Sequence, residues 1–445
     1  MSRVWLYLVL LVNLLVVLGF WLWNQLHSAT GNLFAQDRAT LLLVIGRLAG
    51  LLAVCAVLLQ VTLINRAKWV ERAFGLDRLF RLHHWVGFSV VALFLAHPLL
   101  LTISWARRGE VSLWFQFKDF LQNWDDVAAA AVAVVIFLAV VALSAALVRK
   151  RLKYEWWYAT HLCVYAAILL AFGHQLAVGG DFTGNRWFAG YWYGAYAFVA
   201  ANLLWFRILR PWITFARQRF TVTRLVPETD EVTSVYITGR HLDRFPVAAG
   251  QFVIVRFLAR GFRWQAHPFS ISAVPTGREI RLTIKRLGDF TRRIPELPPG
   301  TAVVIDGPHG LFTAARSVRP KVLAIAGGIG ITPVRSVVEE LLRAGRDTVL
   351  LYGNRGRAMI AFHAELGDLA AQQTGLRVVH VLSADPGWGG EEGNLDQEKI
   401  ARLVPDVAER EVYLCGPPPM MKGVIRNLHA LGVPPRRIYY ERFAL

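Results

Sequence analysis

The chain has 445 residues, 55% of them hydrophobic, and a net charge of +18 at pH 7. That length suggests roughly three domains, and the apolar runs crowded into the first half exclude an ordinary soluble globule. The positive charge sits in loops between apolar runs with no nucleic-acid-binding motif beside it, which argues against a nucleic-acid partner, and three cysteines exclude a disulfide framework.

Six stretches approach the roughly 20 apolar residues needed to span a bilayer: 4–26, 39–64, 82–105, 127–148, 157–178 and 187–209. The first is long for a signal-peptide core and no clear small-residue cleavage site follows it, so it reads as an anchor helix. The 66–81 and 149–153 loops and the segment after the sixth stretch are rich in Arg and Lys. The alternate loops are not: Arg107, Arg108 and Lys118 are offset by Glu110, Asp119, Asp125 and Asp126. The positive-inside rule then puts the N-terminus and the whole C-terminal half in the cytoplasm, with the protein in the cell (inner or plasma) membrane.

The third stretch carries His83 and His97, and the fifth His161 and His174. Ionisable side chains in a bilayer are costly and mark function. Four imidazoles on two such helices suit bis-histidine ligation of iron in two b-type haems. The step of 14 from His83 to His97 brings both rings within roughly 40° of one line, about 21 Å apart along the axis. His84 is out of phase, so His83 is preferred. The step of 13 from His161 to His174 is also out of phase, by roughly 140°; either its rings approach from different sides or the helix is irregular near Gly173. With the predicted orientation the third and fifth helices run in the same direction, so His83 and His161 share the inner level and His97 and His174 the outer. Arg47, in the second stretch near its outer end, has two readings: partner of a haem propionate, or a side chain snorkelling to the headgroups.

From about Phe215 short β-type runs punctuated by Gly and Pro read as a small antiparallel barrel. From Arg319 strands and helices alternate, which reads as a parallel α/β sheet. The expected domains are 1–212 (six-helix haem-binding bundle), 213–318 (FAD-binding β-barrel) and 319–445 (NAD(P)-binding α/β domain).

The motif HPFSIS, His267 to Ser272, is expected to follow a barrel strand. Its aromatic and hydroxyl residues, Phe269 and Ser270 with His267, Pro268 and Ser272 around them, suit stacking on a flavin ring and hydrogen bonding near its reactive nitrogen. Lys285 leads into Gly288, Asp289 and Thr291, a Gly-Asp turn that opens a helix whose backbone N–H groups suit a pyrophosphate. The glycine loop GGIGITP, Gly327 to Pro333, lies between a strand and a helix; Gly328, Gly330, Thr332 and Pro333 there match a dinucleotide-phosphate loop. Arg355, with Arg357, suits the 2′-phosphate of NADPH, leaving NADH as the alternative. Cys415, Gly416 and Pro417 end a late strand at the same sheet edge, where a nicotinamide sits; backbone approach and a catalytic thiol are both open there. Phe443, near the C-terminus, reads either as a cover for the flavin face or as core.

Taken together, these motifs resemble the ferric reductase and NADPH oxidase superfamily over nearly the whole length. The family's 14 and 13 histidine spacings match His83/His97 and His161/His174. Its membrane arginine beside the outer haem corresponds to Arg47, and its flavin-stacking and flavin-bonding positions to Phe269 and Ser270. His267 stands where soluble relatives carry Arg, which points to the membrane branch. The resemblance implies a six-helix haem domain followed by a ferredoxin-reductase-like FAD and NADP module. It implies an NAD(P)H oxidase or ferric reductase passing electrons from NADPH through FAD and two haems to a small-molecule acceptor outside, O2 giving superoxide or a ferric chelate. No regulatory extension is visible, so a protein partner is not required. An electron-donating subunit for a membrane or periplasmic protein and a non-enzymatic haem-binding protein are the rivals.

Overall fold

The computed structural model describes residues 3–27, 37–145 and 154–443, so the basic 149–153 loop lies outside the described residues. Two compact units divide the chain, Met1–Phe206 and Arg207–Leu445.

The first unit is helical: α1 (Arg3–Leu26), α2 (Arg38–Ile64), α3 (Leu76–Arg108), α4 (Leu113–Asn123), α5 (Val127–Ser144), α6 (Tyr154–Val178) and α7 (Arg186–Leu204), with a short helix at Lys68–Phe74 before α3. Side-chain oxygens start several of them: Asp37 accepts from Thr40 N at 2.6 Å, and Ser112 and Asn185 cap α4 and α7. Five of the described helices, α1, α2, α3, α5 and α6, are long and apolar enough to cross a membrane. The sixth expected span is helical, as α7 followed by a π-turn at Trp205–Leu209. Tyr191, Tyr193, Tyr196 and Asn202 make it less apolar than the other five.

Large apolar side chains such as Leu8, Leu95, Val135 and Leu169 face outward, as expected where lipid is the solvent. Inside, Val57, Val90, Ala133, Phe137 and Ala167 form a core. Polar groups join the helices. Asn13 donates to the Tyr191 hydroxyl at 2.5 Å, Trp21 Nε1 to the Val44 carbonyl at 3.3 Å, and Trp192 Nε1 to Gln175 at 2.8 Å. In a bilayer such bonds hold helices together where no hydrophobic drive exists between them. Helix α3 continues through Pro98, and Thr102 donates to the Pro98 carbonyl at 2.7 Å.

The second unit opens with α8 (Arg210–Gln218). Strands β1 (Thr221–Thr229), β2 (Val232–Thr238) and β5 (Ile280–Lys285) form one antiparallel sheet, in the order β1-β2-β5. Strands β3 (Phe252–Phe257), β4 (His267–Ser270) and β6 (Val303–His309) form a second, β4-β3-β6. Bridges at Thr221–Ala302 and Ile271–Leu282 connect the two sheets. Val235, Ile237, Val253, Val255, Phe257 and Leu282 fill the space between. The HPFS segment follows barrel strand β3 in the chain and is itself strand β4, paired antiparallel with β3. Its proline sits on a sheet edge, where a missing N–H is tolerated.

Strands β7 (Lys321–Gly327), β8 (Asp347–Asn354), β9 (Leu376–Leu382), β10 (Glu391–Glu392), β11 (Glu411–Cys415) and β12 (Ile438–Glu441) form a parallel sheet ordered β10-β9-β8-β7-β11-β12. Helices α9 (Ile331–Arg343), α10 (His363–Gln372) and α11 (Pro418–Ala430) follow β7, β8 and β11. The chain runs from β7 to β8 on one side, and β11 joins β7 on the other. The carboxyl ends of these three strands therefore surround a topological switch point, where α/β sheets bind ligands.

Candidate functional site

In the membrane unit the four histidines meet in two pairs across α3 and α6. The His83 and His161 ring centroids lie 6.2 Å apart, and those of His97 and His174 6.3 Å apart. First pairs with first and second with second, so the two helices run in the same direction. Helix α6 is continuous through Gly173, so the 13-residue step is accommodated without a break. His84 turns away, its ring against Phe88 at 5.1 Å.

Two imidazoles on one iron, with metal–nitrogen bonds of about 2 Å and each centroid a further ~1.1 Å back, have centroids about 6.2 Å apart. Both pairs fit that separation. The ring of His97 is also held for it. Its Nδ1 lies 2.8 Å from the Gly46 carbonyl oxygen, so the Nδ1–H donates there and Nε2 is left unprotonated for a metal. On His161, Nδ1 lies 3.5 Å from Ser144 Oγ, which accepts from Trp157 Nε1 at 3.1 Å. The Nδ1 of His174 is buried without a hydrogen-bond partner among the described residues.

Gly46 and Gly50 are site residues the sequence reading missed. A Cβ on Gly50 would stand 2.7 Å from His97 Nδ1 and 2.8 Å from its Cε1. The signal was present as a Gly-x-x-x-Gly step on one face of α2, the pattern that lets helices approach closely. Arg47, between them, reaches the turn after α6: its guanidinium lies 3.3 Å from where a Gly180 Cβ would be, within Coulombic reach of buried Asp181. Asn24 donates to the Asp181 carbonyl at 2.9 Å. Asp126 is a further acid at this level, its Oδ2 3.2 Å from the Cβ position of Gly173 beside His174.

In the second unit a cleft of about 920 Å³ opens at the carboxyl ends of β7 and β8, lined among others by Lys285, Gly328, Tyr352, Arg355, Ser383 and Pro417. Gly328 has φ +50, a left-handed conformation that favours glycine. Gly330 permits the closest approach: a Cβ there would collide with the Cys415 carbonyl, which brings the two loops together. Gly416 meets Gly327 in the same way, its Cβ position 3.2 Å from the Gly327 backbone. Buried Thr332 donates to the Ile329 carbonyl at 3.0 Å, and Pro333 is buried beside it, so these two shape the loop from behind. Cys415 is fully buried.

Arg355 and Arg357 are not equivalent. Arg357 donates to the Gly387 carbonyl at 3.0 Å, pairs with Asp385 at 3.5 Å and lies over the Trp388 ring. Arg355 is exposed and lines the cleft.

At the barrel, the His267 ring packs on Phe290 with centroids 4.0 Å apart, and Phe269 is partly buried. Pro268 is exposed and Ser270 buried. Ser272 is fully enclosed. Its hydroxyl lies 2.7 Å from Thr283 Oγ1 and donates to the Arg281 carbonyl at 3.1 Å, bracing the barrel. The Gly-Asp turn opens a single helical turn, Asp289–Arg292. The Thr291 hydroxyl accepts from Leu287 N at 2.9 Å and Gly288 N at 3.0 Å, occupying two of the backbone donors, while Asp289 is fully exposed. Lys285 pairs with Glu231 at 3.2 Å. Phe443 is partly buried against the core that contains Tyr413 and Cys415.

Three family models match successive parts of the chain: a ferric reductase like transmembrane component at residues 49–172, an FAD-binding domain at 217–312 and an oxidoreductase NAD-binding domain at 324–426. A flavohemoprotein of Burkholderia sp. is 30% identical over 234 residues, 50% of this chain and 58% of that protein. An NADPH oxidoreductase of Mycobacterium tuberculosis is 30% identical over 227 residues, 49% of this chain and 58% of that one. The chain thus spans somewhat over half the length of these curated relatives. The solved FAD/NAD-binding domain of a nitric oxide dioxygenase from Vibrio cholerae matches at 26% identity and a TM-score of 0.45, over 51% of this chain and 98% of that one. With a ferric-reductase-like transmembrane component, an FAD-binding domain and an NAD-binding domain in that order, the chain has the architecture of the ferric reductase and NADPH oxidase superfamily and is an oxidoreductase.

Proposed function

We propose that the protein is a transmembrane flavocytochrome that passes electrons from cytosolic NADPH through FAD and two bis-histidine haems to an acceptor on the outer side, with O2 giving superoxide as the favoured acceptor. The observation that carries the reading is the pair of facing histidine couples at 6.2 and 6.3 Å on two membrane-type helices. When bound, NADPH and FAD supply hydride chemistry and the haems supply one-electron steps.

The chain's own residues provide the rest. The loop at Gly328 and Gly330 gives backbone N–H groups and the start of α9 to the nucleotide phosphates, and Arg355 takes the 2′-phosphate. Phe269 and Ser270 hold the flavin ring. His83 with His161, and His97 with His174, would each hold one haem iron between two imidazoles, leaving the metal no site for oxygen. Electron transfer to oxygen would then need no bond to iron, and Arg47 draws the anionic product or acceptor to the outer level. The domain division 1–212, 213–318 and 319–445, with both termini in the cytoplasm, is part of this reading.

Cytochrome c reduction in air, with and without superoxide dismutase, tests the acceptor in detergent-purified protein carrying haem and FAD. Dismutase-sensitive reduction is expected. Slow reoxidation by air with rapid reoxidation by ferric citrate would replace the oxidase by a metalloreductase.

A further inference from the structure

Behind the flavin strand, a cluster of charges around two buried arginines ties the barrel to the nucleotide-binding sheet. Arg281 on β5 is 7% exposed and grips Glu365 with two bonds, Nη1 to Oε2 at 2.8 Å and Nη2 to Oε1 at 3.1 Å. The same Nη2 donates to the Ser272 carbonyl at 2.7 Å, directly after the flavin strand. Its guanidinium also lies over the Phe362 ring at 4.6 Å. Glu365 stands in the first turn of α10 and receives a second cation, Arg335 of α9, at 2.5 Å; Arg335 pairs with Glu339 as well. The next residue on α9, Ser336, is fully buried. It donates to the Ile271 carbonyl at 2.8 Å and accepts from Gly250 N at 2.9 Å.

Helix α9 is the one that begins at the glycine loop. Ile271 and Ser272 continue the strand that carries Phe269 and Ser270. One carboxylate and one hydroxyl thus connect the strand expected to hold the flavin to the helix expected to hold the nucleotide.

Stability alone does not account for this arrangement. Burying the Arg281 and Arg335 guanidinium groups beside part-buried carboxylates costs desolvation that their attraction largely cancels, and packed apolar side chains of similar volume do as well or better. What such a cluster does well is fix register, because each charge has one satisfactory position. Hydride transfer is sensitive to register: a displacement of about 1 Å between reacting atoms can cost about a hundredfold in rate.

We propose that Glu365, clamped between Arg281 and Arg335, and Ser336 beside it are positioning residues that set the distance and angle between flavin and nicotinamide. The proposal rests on the reading that this unit transfers hydride from NAD(P)H to FAD. In that step the hydride carries both electrons, the nicotinamide leaves as NAD(P)+ and the flavin becomes the two-electron-reduced anion. Neither residue touches the reacting atoms.

The test uses full-length protein with bound FAD and anaerobic stopped-flow bleaching of the flavin at saturating NADPH. Glu365→Gln keeps the size and removes the charge; Ser336→Ala removes one donor and leaves the ion cluster intact. Both variants are expected to retain wild-type flavin content and a KM within about twofold, while the bleaching rate falls about tenfold to a hundredfold. Glu365→Asp should recover part of the rate. Wild-type bleaching rates in Glu365→Gln and Ser336→Ala, or rate losses that merely track lost FAD, overturn the clamp and leave the hydride reading standing. A wild-type protein whose flavin NADPH and NADH both fail to bleach overturns that reading and the clamp with it.

Discussion

In the membrane unit, four side chains from two helices face one another, and the groups that steady them come from elsewhere: the Gly46 carbonyl of α2 for His97 and the Ser144 hydroxyl of α5 for His161. In the C-terminal unit the cleft opens where backbone meets backbone at strand ends, Gly330 abutting Cys415 and Gly416 abutting Gly327. The difference follows from the solvents. A bilayer forbids irregular backbone facing lipid, so a membrane site is built from side chains on intact helices. In water the ends of parallel strands can leave backbone donors free for phosphate. A side-chain site should therefore fail abruptly when one ligand is lost, and a backbone site when space is lost.

The largest effect is expected from His97→Ala. One haem of two should be missing from the pyridine haemochrome assay, and NADPH-driven electron delivery to the outer side should fall at least about a hundredfold. NADPH bleaching of the flavin should persist, because that reaction belongs to the other unit. Gly330→Ala tests the opposite end. Its Cβ has no room against the Cys415 carbonyl, so the KM for NADPH should rise about tenfold or more with both haems retained, as read by steady-state flavin reduction. Gly50→Ala brings the two kinds of failure together, since it removes space from a side-chain site. The His97 ring must shift, and the electron paramagnetic resonance signal of the outer haem should shift or weaken while the inner one stays.

Arg355→Ala should lower the preference for NADPH over NADH about tenfold, the scale of one lost charge-assisted contact. Arg357→Ala should change it less, because Arg357 is already engaged by Asp385, Gly387 and Trp388. Equal effects of the two substitutions would contradict this division of roles. The smallest change is expected from Ser144→Ala, where a 3.5 Å contact to His161 is lost. A small shift in one haem midpoint potential with full haem content is the outcome that spectroelectrochemical titration should give.

Legibility in the sequence follows the same division. The glycine loop, the CGP turn and the HPFS segment are contiguous, so their residues can be read as strings, and β7, α9 and β11 fall close to where strand and helix alternation puts them. The histidines were legible through spacing within each helix. Their pairing across helices was inferred from loop charge. Groups that act across distance were not legible. Gly46 contacts a ring 51 residues on, and Arg281 and Glu365 are 84 residues apart. Nothing local marks them, because an arginine at a strand end looks the same whether solvated or buried. That β4 is an edge strand, where its proline is tolerated, is a tertiary property that the HPFS string does not carry. The short final strand β12 is held by pairing with β11 and has little pattern of its own.

The central claim is that electrons from NAD(P)H reach iron held by the paired histidines. Its most direct test is the anaerobic absorption spectrum of purified protein carrying haem and FAD, recorded before and after NADPH is added. The account predicts bleaching of the flavin followed by the sharpened α band of reduced low-spin haem. Bleached flavin beside haem that stays oxidised, or purified protein that takes up no haem, would contradict it.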